Sequence, residues 1–421
     1  MNAVLNHYAT EATNRDGALP GLSSLKQTAL HDMLQLGFPS RRDEAWKYTS
    51  TASFNQHLFA SDKPLLGDVR QTSLLFDVIE CDASGENLTG LDALPNDVLV
   101  MSWHDALRLH ADKVLPYLGK IAAHTHGFNA QNTLMLRDGL FIYLPHGVSL
   151  SKPLYLNHGR TSRVEARYFR HLIVAEPGAK AIIIEDHVGS SADVYYSNVI
   201  TEIQMHEHSS LQHYKIQREG DGAFHVGQLS VHQAAFSQLE THSFSFGGQW
   251  VRSDTLVDLL APNAACSMNG IYITAHKQHL DHHTMIKHHQ PMCESSQDYR
   301  GIMGGASRAV FNGQVCVAVG ADGTSARQYN KNLLLSSRAE IDTKPELMIF
   351  ADDVQCSHGA TVGQLDEDAL FYLGTRGMNE DDSRAFLLDA FLAENLTKVA
   401  FSPLALWLHG LLAPYLRMNY A

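Results

Sequence analysis

Two short stretches of the chain carry residue types suited to chemistry. The first is His276-Lys-Gln-His-Leu-Asp-His-His-Thr-Met-Ile-Lys-His-His, which contains His276, His279, His282, His283, His288 and His289. Imidazole is a common metal ligand and the side chain that titrates near neutral pH. Residues two apart on a strand share a face. His276 and Asp281 therefore fall on opposite faces of an unbroken strand, whereas His279, Asp281 and His283 share one and could hold zinc or iron. No HExxH or similar fixed spacing is present, so a solvated or hydrogen-bonded strand face is the preferred account of this run.

The second stretch is Ala351-Asp-Asp-Val-Gln-Cys-Ser-His-Gly-Ala-Thr-Val-Gly. If it is extended, Cys356 and His358 leave the same face with Cα atoms about 6.5 Å apart. A thiolate beside an imidazole suits iron or zinc, and Gly359 lets a ligand or partner approach the backbone. Four ligands usually hold an iron–sulfur cluster, so two would have to come from elsewhere, such as another chain. A Cys–His hydrolase dyad is a rival reading, but no third orienting group is evident. Spacing alone favours a reduced cysteine beside a turn histidine.

The remaining thiols add little. Cys316 alternates with valines in Val315-Cys-Val-Ala-Val, as an idle or buried thiol would, and Cys266 and Cys293 have no local partner. With Cys81 they make five scattered cysteines without a CxxC pair, which argues against a structural zinc site or a disulfide framework. No GxxxxGK[ST], no GxGxxG after a strand and no GxSxG occurs, so neither P-loop ATP binding nor the common serine hydrolase layout is expected.

The elements that must position these residues change character along the chain. Leu22–Leu36 has apolar residues at helical spacing and ends at Gly37 and Pro39; Trp103–Ile121 is a second helical candidate. From about Thr133 the texture becomes β-rich, with strands expected at Leu140-Phe-Ile-Tyr-Leu-Pro, Tyr168-Phe-Arg-His-Leu-Ile-Val and Ala181-Ile-Ile-Ile-Glu. A weak repeat leads small or polar turns into strands at Gly178, Ser209, Phe236, Asn263, Ala306 and Ser337. Most intervals are 27 to 31 residues and one is longer. Such units cannot bury their apolar faces alone and do so by stacking. The pattern predicts a β-helix over residues 133–376, preceded by a helical or mixed region over 1–132. A β-sandwich is the alternative. No helix is expected between about Thr133 and Gly377. Beyond it, Asn379 caps a helix through Ala385–Leu396, and a second spans Leu404–Leu412. Residues 377–421 either cap the solenoid or dock a partner, with Trp407, Leu408, Leu411 and Leu412 suited to both.

Composition narrows the function classes. The net charge of −13, from 45 acidic and 32 basic residues, excludes a uniformly basic nucleic-acid surface. The first residues lack a basic start followed by an apolar run, so no secretory signal is expected. The apolar stretch Val399–Leu416 is interrupted by Pro403, His409, Gly410 and Pro414, which opposes a membrane span. The expected setting is cytoplasmic, with reduced thiols.

One resemblance covers most of the chain. Arg308-Ala-Val-Phe-Asn-Gly, Asn330-Lys-Asn-Leu-Leu-Leu-Ser, Ala339-Glu-Ile-Asp-Thr-Lys-Pro-Glu-Leu, Cys356-Ser-His-Gly-Ala-Thr-Val-Gly and Phe371-Tyr-Leu-Gly-Thr-Arg-Gly resemble the carboxy-terminal signature of the SufD family. Pro291-Met-Cys-Glu-Ser-Ser-Gln-Asp-Tyr-Arg-Gly and the amino-terminal Arg42-Asp-Glu-Ala-Trp-Lys-Tyr-Thr are similar to the same family, and residues 50–130 match least. The resemblance implies a right-handed parallel β-helix flanked by helical regions. It implies a non-catalytic scaffold subunit for iron–sulfur cluster assembly, acting with a SufB-like paralogue through the β-helix. A SufC-like ATPase would bind the carboxy-terminal helices. His358 matches the family histidine associated with a transient cluster near the SufB–SufD interface, with Cys356 its neighbour. The isolated chain is expected to hold no tight cofactor and could self-associate as a homodimer. A stand-alone metalloenzyme using the histidine-rich segment is the alternative, and a β-helix carbohydrate enzyme is a third class.

Overall fold

The computed structural model describes residues 3–14, 19–64, 74–86, 88, 90–159, 164–190 and 192–418. Helices α1 (Ala3–Asn14) and α2 (Ser23–Leu36) come first, then strands β1 (Ile79–Asp82) and β2 (Leu99–Ser102) and helices α3 (Trp103–Leu109), α4 (Ala111–Val114) and α5 (Gly127–Leu134). There follow β3 (Leu140–Leu144), β4 (Leu154–Asn157), β5 (Ala166–Ala175), β6 (Lys180–His187), β7 (Tyr195–Met205), β8 (Ser210–Gln217), β9 (Ala223–Gln233) and β10 (Gln238–Ser245). The run continues through β11 (Trp250–Leu259), β12 (Ala265–Thr274), β13 (His279–His288), β14 (Glu294–Met303), β15 (Arg308–Val317), β16 (Thr324–Leu334), β17 (Glu340–Ile349) and β18 (Val354–Gly363). Helices α6 (Glu367–Thr375), α7 (Glu380–Leu396) and α8 (Ser402–Leu416) end the described chain.

From β3 onward, successive strands alternate between two nine-stranded sheets. Sheet A has the order β1-β4-β6-β8-β10-β12-β14-β16-β18, and sheet B the order β17-β15-β13-β11-β9-β7-β5-β3-β2. Every strand pairing except β2 with β3 is parallel. Parallel neighbours need a crossover, and from β3 onward each crossover is a strand of the opposite sheet. The chain therefore winds a parallel β-solenoid of about eight turns. It is not a Greek-key sandwich, although two sheets do face one another.

The turn chemistry explains the repeat. The turns into sheet A place Gly178, His208, Phe236, Asn263 and Met292 at φ between 58° and 73°, the left-handed region where a β-branched residue would be strained. Their amides bond the next turn along the solenoid, as from Gly178 to the Glu207 carbonyl (2.9 Å) and from His208 to that of Ala235 (3.1 Å). The odd interval of 43 residues from Asn263 to Ala306 arises because Ala306 opens β15, in sheet B, whereas Asn263 opens β12, in sheet A.

Three apolar layers follow from strand alternation. The lumen between the sheets holds Leu156, Ile183, Leu211, Leu239 and Met268 from sheet A against Ile142, Ile173, Ile203 and Val231 from sheet B. The outer face of sheet A, with Tyr214, Ile216, Phe244 and Ile271, is covered by Leu388, Leu392, Leu404, Trp407, Leu408 and Leu412 of α7 and α8. The outer face of sheet B, with Tyr168, Tyr196, Phe224 and Trp250, is covered by Tyr8, Trp46, Phe54 and Phe128 of the amino-terminal region.

Several expectations need correction. The carboxy-terminal helices do not cap the open end of the solenoid; they lie along its side. Asn395 Nδ2 donates to the Asp298 carbonyl (2.8 Å) there, and Lys398 pairs with the Asp298 carboxylate. Helix α6 starts at Glu367, before Gly377, under an Asp366 cap that accepts from the Asp368 and Ala369 amides. Helix α5 was not anticipated, because Gly-Phe-Asn-Ala-Gln-Asn-Thr-Leu has no apolar stripe. It is wholly buried, and Asn132 Nδ2 donates to the Phe169 (2.9 Å) and Asn198 (3.0 Å) carbonyls. Gly127 opens it 2.8 Å from the Gly37 carbonyl, where an added Cβ would meet that oxygen at 2.4 Å. Residues 419–421 of the expected partner-binding region lie outside the described residues. Among the described residues no helix is long and apolar enough to cross a membrane.

Candidate functional site

Cys356 and His358 sit at the open end of the solenoid, on β18. In-register parallel strands put paired residues on the same face, and Cys356 pairs with Ala326 while His358 pairs with Gln328. Ala326 and Gln328 are buried towards the lumen, so Cys356 and His358 continue the lumen-lining face into its mouth. Among the described residues no strand follows β18 in sheet A or β17 in sheet B, which leaves Cys356 half-buried and His358 exposed. Cys356 packs at the edge of a small cluster with Val315, Val317, Ala321 and Ala326. Burial pushes its thiol above the usual range, and only the backbone at Ala326 opposes this. The thiol is therefore protonated at neutral pH, and a metal binding it must displace that proton. Across the mouth, Thr343 of β17 donates to Asn330 Oδ1 of β16 (2.8 Å), tying the two last turns together.

The histidine-rich segment is β13, entered through the exposed turn residue His276. As spacing predicts, His279, Asp281 and His283 share its outer face, and His282 and His288 point inward. That face is a buried ion-pair network. Arg252 Nη1 donates to Asp281 Oδ2 (2.7 Å) and Nη2 to Asp254 Oδ1 (2.8 Å). Thr49 also donates to Asp281, and its hydroxyl lies 2.8 Å from His279 Nε2. Burial alone would raise the Asp281 carboxyl; the Arg252 guanidinium, with His283 and His279 nearby, holds it well below the carboxylate range. A guanidinium already occupies the place a cation would take.

This network also explains the amino-terminal motif. Arg252 Nη1 donates to the Ala45 carbonyl (2.9 Å), its guanidinium lies 4.4 Å from the Trp46 ring centre, and Trp250 Nε1 donates to the Ser50 carbonyl (3.0 Å). Arg42-Asp-Glu-Ala-Trp-Lys-Tyr-Thr is thus the clasp that fastens the amino-terminal region to sheet B. Cys316 faces away from buried Val315 and Val317, as expected.

The helical face offers a second surface. Trp407, Leu408 and Leu412 are spent on sheet A, and Leu411 is partly so. The large apolar groups left exposed are Phe371 (75%) and Tyr372 of α6, Phe386 of α7 and Leu406 (68%) of α8. Exposed apolar groups of this size on neighbouring helices are the kind that interaction surfaces use.

A buried polar stack inside the lumen went unread in the sequence. His158, His171, His187, His213 and His225 are all buried there. The available signal was periodic: His158 and His187 stand 29 residues apart, one turn of the repeat.

Comparison with known proteins adds identity to this geometry. The family model "SUF system FeS cluster assembly, SufBD core domain" matches residues 157–391, and "SufBD protein N-terminal region" matches residues 4–156. The chain is 30% identical to the iron–sulfur cluster assembly protein SufD of Escherichia coli over 376 residues, 87% of each chain. It is 29% identical over 404 residues to an iron–sulfur cluster assembly SufBD family protein of Synechocystis, 90% of this chain and 88% of that one. SufD of Bacillus subtilis is 25% identical over 293 residues, 68% of this chain and 67% of that protein.

Proposed function

Because the chain belongs to the SufBD family of iron–sulfur cluster assembly proteins, we propose that it is a non-catalytic scaffold subunit. It offers Cys356 and His358 to a nascent cluster whose remaining ligands come from a SufB-like partner. The observation that carries this reading is the position of the pair on the lumen face of an edge strand at the open end. Two ligands from one chain cannot close a cluster. Edge strands carry unpaired backbone groups that a second chain can complete. The apolar rim around them, including Ile349, Phe350 and Val362, is exposed in the single chain. A SufB-like solenoid docking there would bring its own last turns beside Cys356 and His358. Without it, a second copy of this chain could take the same place.

The energy source lies elsewhere. The chain has no phosphate-binding loop motif, so a SufC-like ATPase is proposed to bind the exposed apolar groups of α6, α7 and α8. The cluster is cargo, passed on to other proteins, and the proposed setting is the cytoplasm, where thiols stay reduced. The test is co-expression with SufB-like and SufC-like subunits, followed by iron and acid-labile sulfide assay. His358→Ala should leave the subunit ratio intact and lower both iron and sulfide. Wild-type iron and sulfide in a properly assembled His358→Ala complex would remove this residue from the mechanism.

A further inference from the structure

The lumen near the amino-terminal end of the solenoid holds a second cluster of metal-ligating side chains. His158 follows β4, and Glu185 and His187 lie on β6, two residues apart and on the lumen face. The β4–β6 register places His158 beside His187, and their rings stack at 4.0 Å between centres. His158 Nε2 lies 3.6 Å and His187 Nε2 3.5 Å from Glu185 Oε2, and the three ligand atoms fall within 4.8 Å of one another. All three side chains are at most 2% exposed. Both ring nitrogens of His158 and Nε2 of His187 are buried without a hydrogen-bond partner.

These are costly features in an empty site. An unsatisfied buried polar atom costs about 1–3 kcal/mol, and the two unpartnered Nε2 atoms converge on one carboxylate oxygen. Ligand atoms about 2.1 Å from a tetrahedral metal are about 3.4 Å apart, close to the separations seen. The surroundings also orient the carboxylate. Glu185 Oε1 accepts from Thr201 Oγ1 (2.7 Å) and lies 2.9 Å from His213 Nε2, which turns Oε2 towards the two free imidazoles. Such outer partners are what hold ligands in place in metal sites. Burial pushes His158 and His187 down to about 3, so both imidazoles are neutral near pH 7 and keep a lone pair for a metal. The nearby cations are otherwise engaged: Arg167 donates to Glu219 Oε1 (2.8 Å), and Lys215 to Ser253 Oγ (3.3 Å).

We propose that His158, Glu185 and His187 form an internal site for a borderline divalent first-row cation, such as Fe(II) or Zn(II), separate from Cys356 and His358. Two imidazoles and a carboxylate suit that class. The site lies in the turns of β4 and β6, while β18 is six strands farther along sheet A. Because the ligands are shut inside, the ion enters as the chain folds, and its binding stabilises the fold. The site does not depend on partner chains.

The test uses the full chain produced in minimal medium with added Co(II), a probe of the same class. After dialysis, cobalt should be near one per chain, and its X-ray absorption should show imidazole scattering and oxygen or nitrogen neighbours only. Glu185→Gln and His187→Ala should each cut bound cobalt at least tenfold with the β-type circular dichroism retained, while His358→Ala and Cys356→Ser leave it unchanged. Absence of stoichiometric cobalt in the wild-type chain would overturn the proposal. So would sulfur neighbours at about 2.3 Å, or full cobalt in both folded variants. If neither variant folds, the wild-type absorption spectrum decides alone, and a spectrum without imidazole scattering refutes the site.

Discussion

Removing the Asp281 carboxylate tests the account of the amino-terminal clasp. Asp281 is buried and accepts from Arg252 and Thr49. In Asp281→Ala the Arg252 guanidinium stays buried and keeps only Asp254 as its carboxylate partner. Stripping one partner from a buried ion pair costs about 3–5 kcal/mol. The surviving Asp254 contacts put this case at the lower end, about 3 kcal/mol, or about a hundredfold in an opening equilibrium. The loss should fall on the segment that Arg252 holds through Ala45 and Trp46. Amide exchange across residues 42–50 should therefore speed up about a hundredfold, and far less in β15 to β18. The sign with pH follows from the depressed native carboxyl of Asp281. A group with its folded pKa lowered stabilises fully above its unfolded value, about 3.9, and loses that contribution as pH falls towards the folded value. The wild-type advantage over Asp281→Ala should thus be constant from pH 5 to 7 and shrink below about pH 4. An exchange rate within threefold of wild type, or an advantage that grows in acid, would show that Asp281 does not hold the clasp.

Two surface predictions concern partners. Val362→Lys places a charge on the rim of the open end, where the side chain is 49% exposed in the single chain. Chain stability should change by no more than about 0.5 kcal/mol, while affinity for the SufB-like partner falls at least tenfold, measured by titration calorimetry; unchanged affinity would move the interface elsewhere. Phe386→Ser with Leu406→Ser should abolish pull-down of the SufC-like ATPase while far-ultraviolet dichroism and melting stay as in wild type. Truncation after Arg376 is a poor substitute, since it strips the cover from Tyr214, Ile216 and Phe244 and should yield aggregated protein.

Much of the fold was legible because its period is local. Strand-forming runs at Leu140, Tyr168 and Ala181 and small or polar residues around most turns register in sequence as a repeat of about 30 residues. The irregular interval could not be read, because sequence does not say in which sheet a turn lands. The shared face of His279, Asp281 and His283 was legible from alternation, but their occupant, Arg252, lies 29 residues away on the neighbouring strand and needed the register. The side-by-side placement of Cys356 and His358 was likewise readable. That they face the lumen mouth was not, since it depends on β18 being the last strand of sheet A. Helix α5 was invisible because its apolar Phe128, Ala130 and Leu134 are interleaved with buried Asn129, Gln131 and Asn132, so no one-sided stripe shows in the sequence. The lumen histidines were missed because each stands alone in sequence and gathers with the others only when turns stack.

On the proposed role of this chain, His358 touches the cluster while partner chains supply the other ligands. The most direct measurement is pulsed paramagnetic resonance of the reduced cluster in the complex, with only this chain labelled with 15N-histidine. A 15N imidazole coupling should appear with this labelled chain and vanish in the labelled His358→Ala complex. A cluster of normal yield with no coupling to the labelled chain would contradict it.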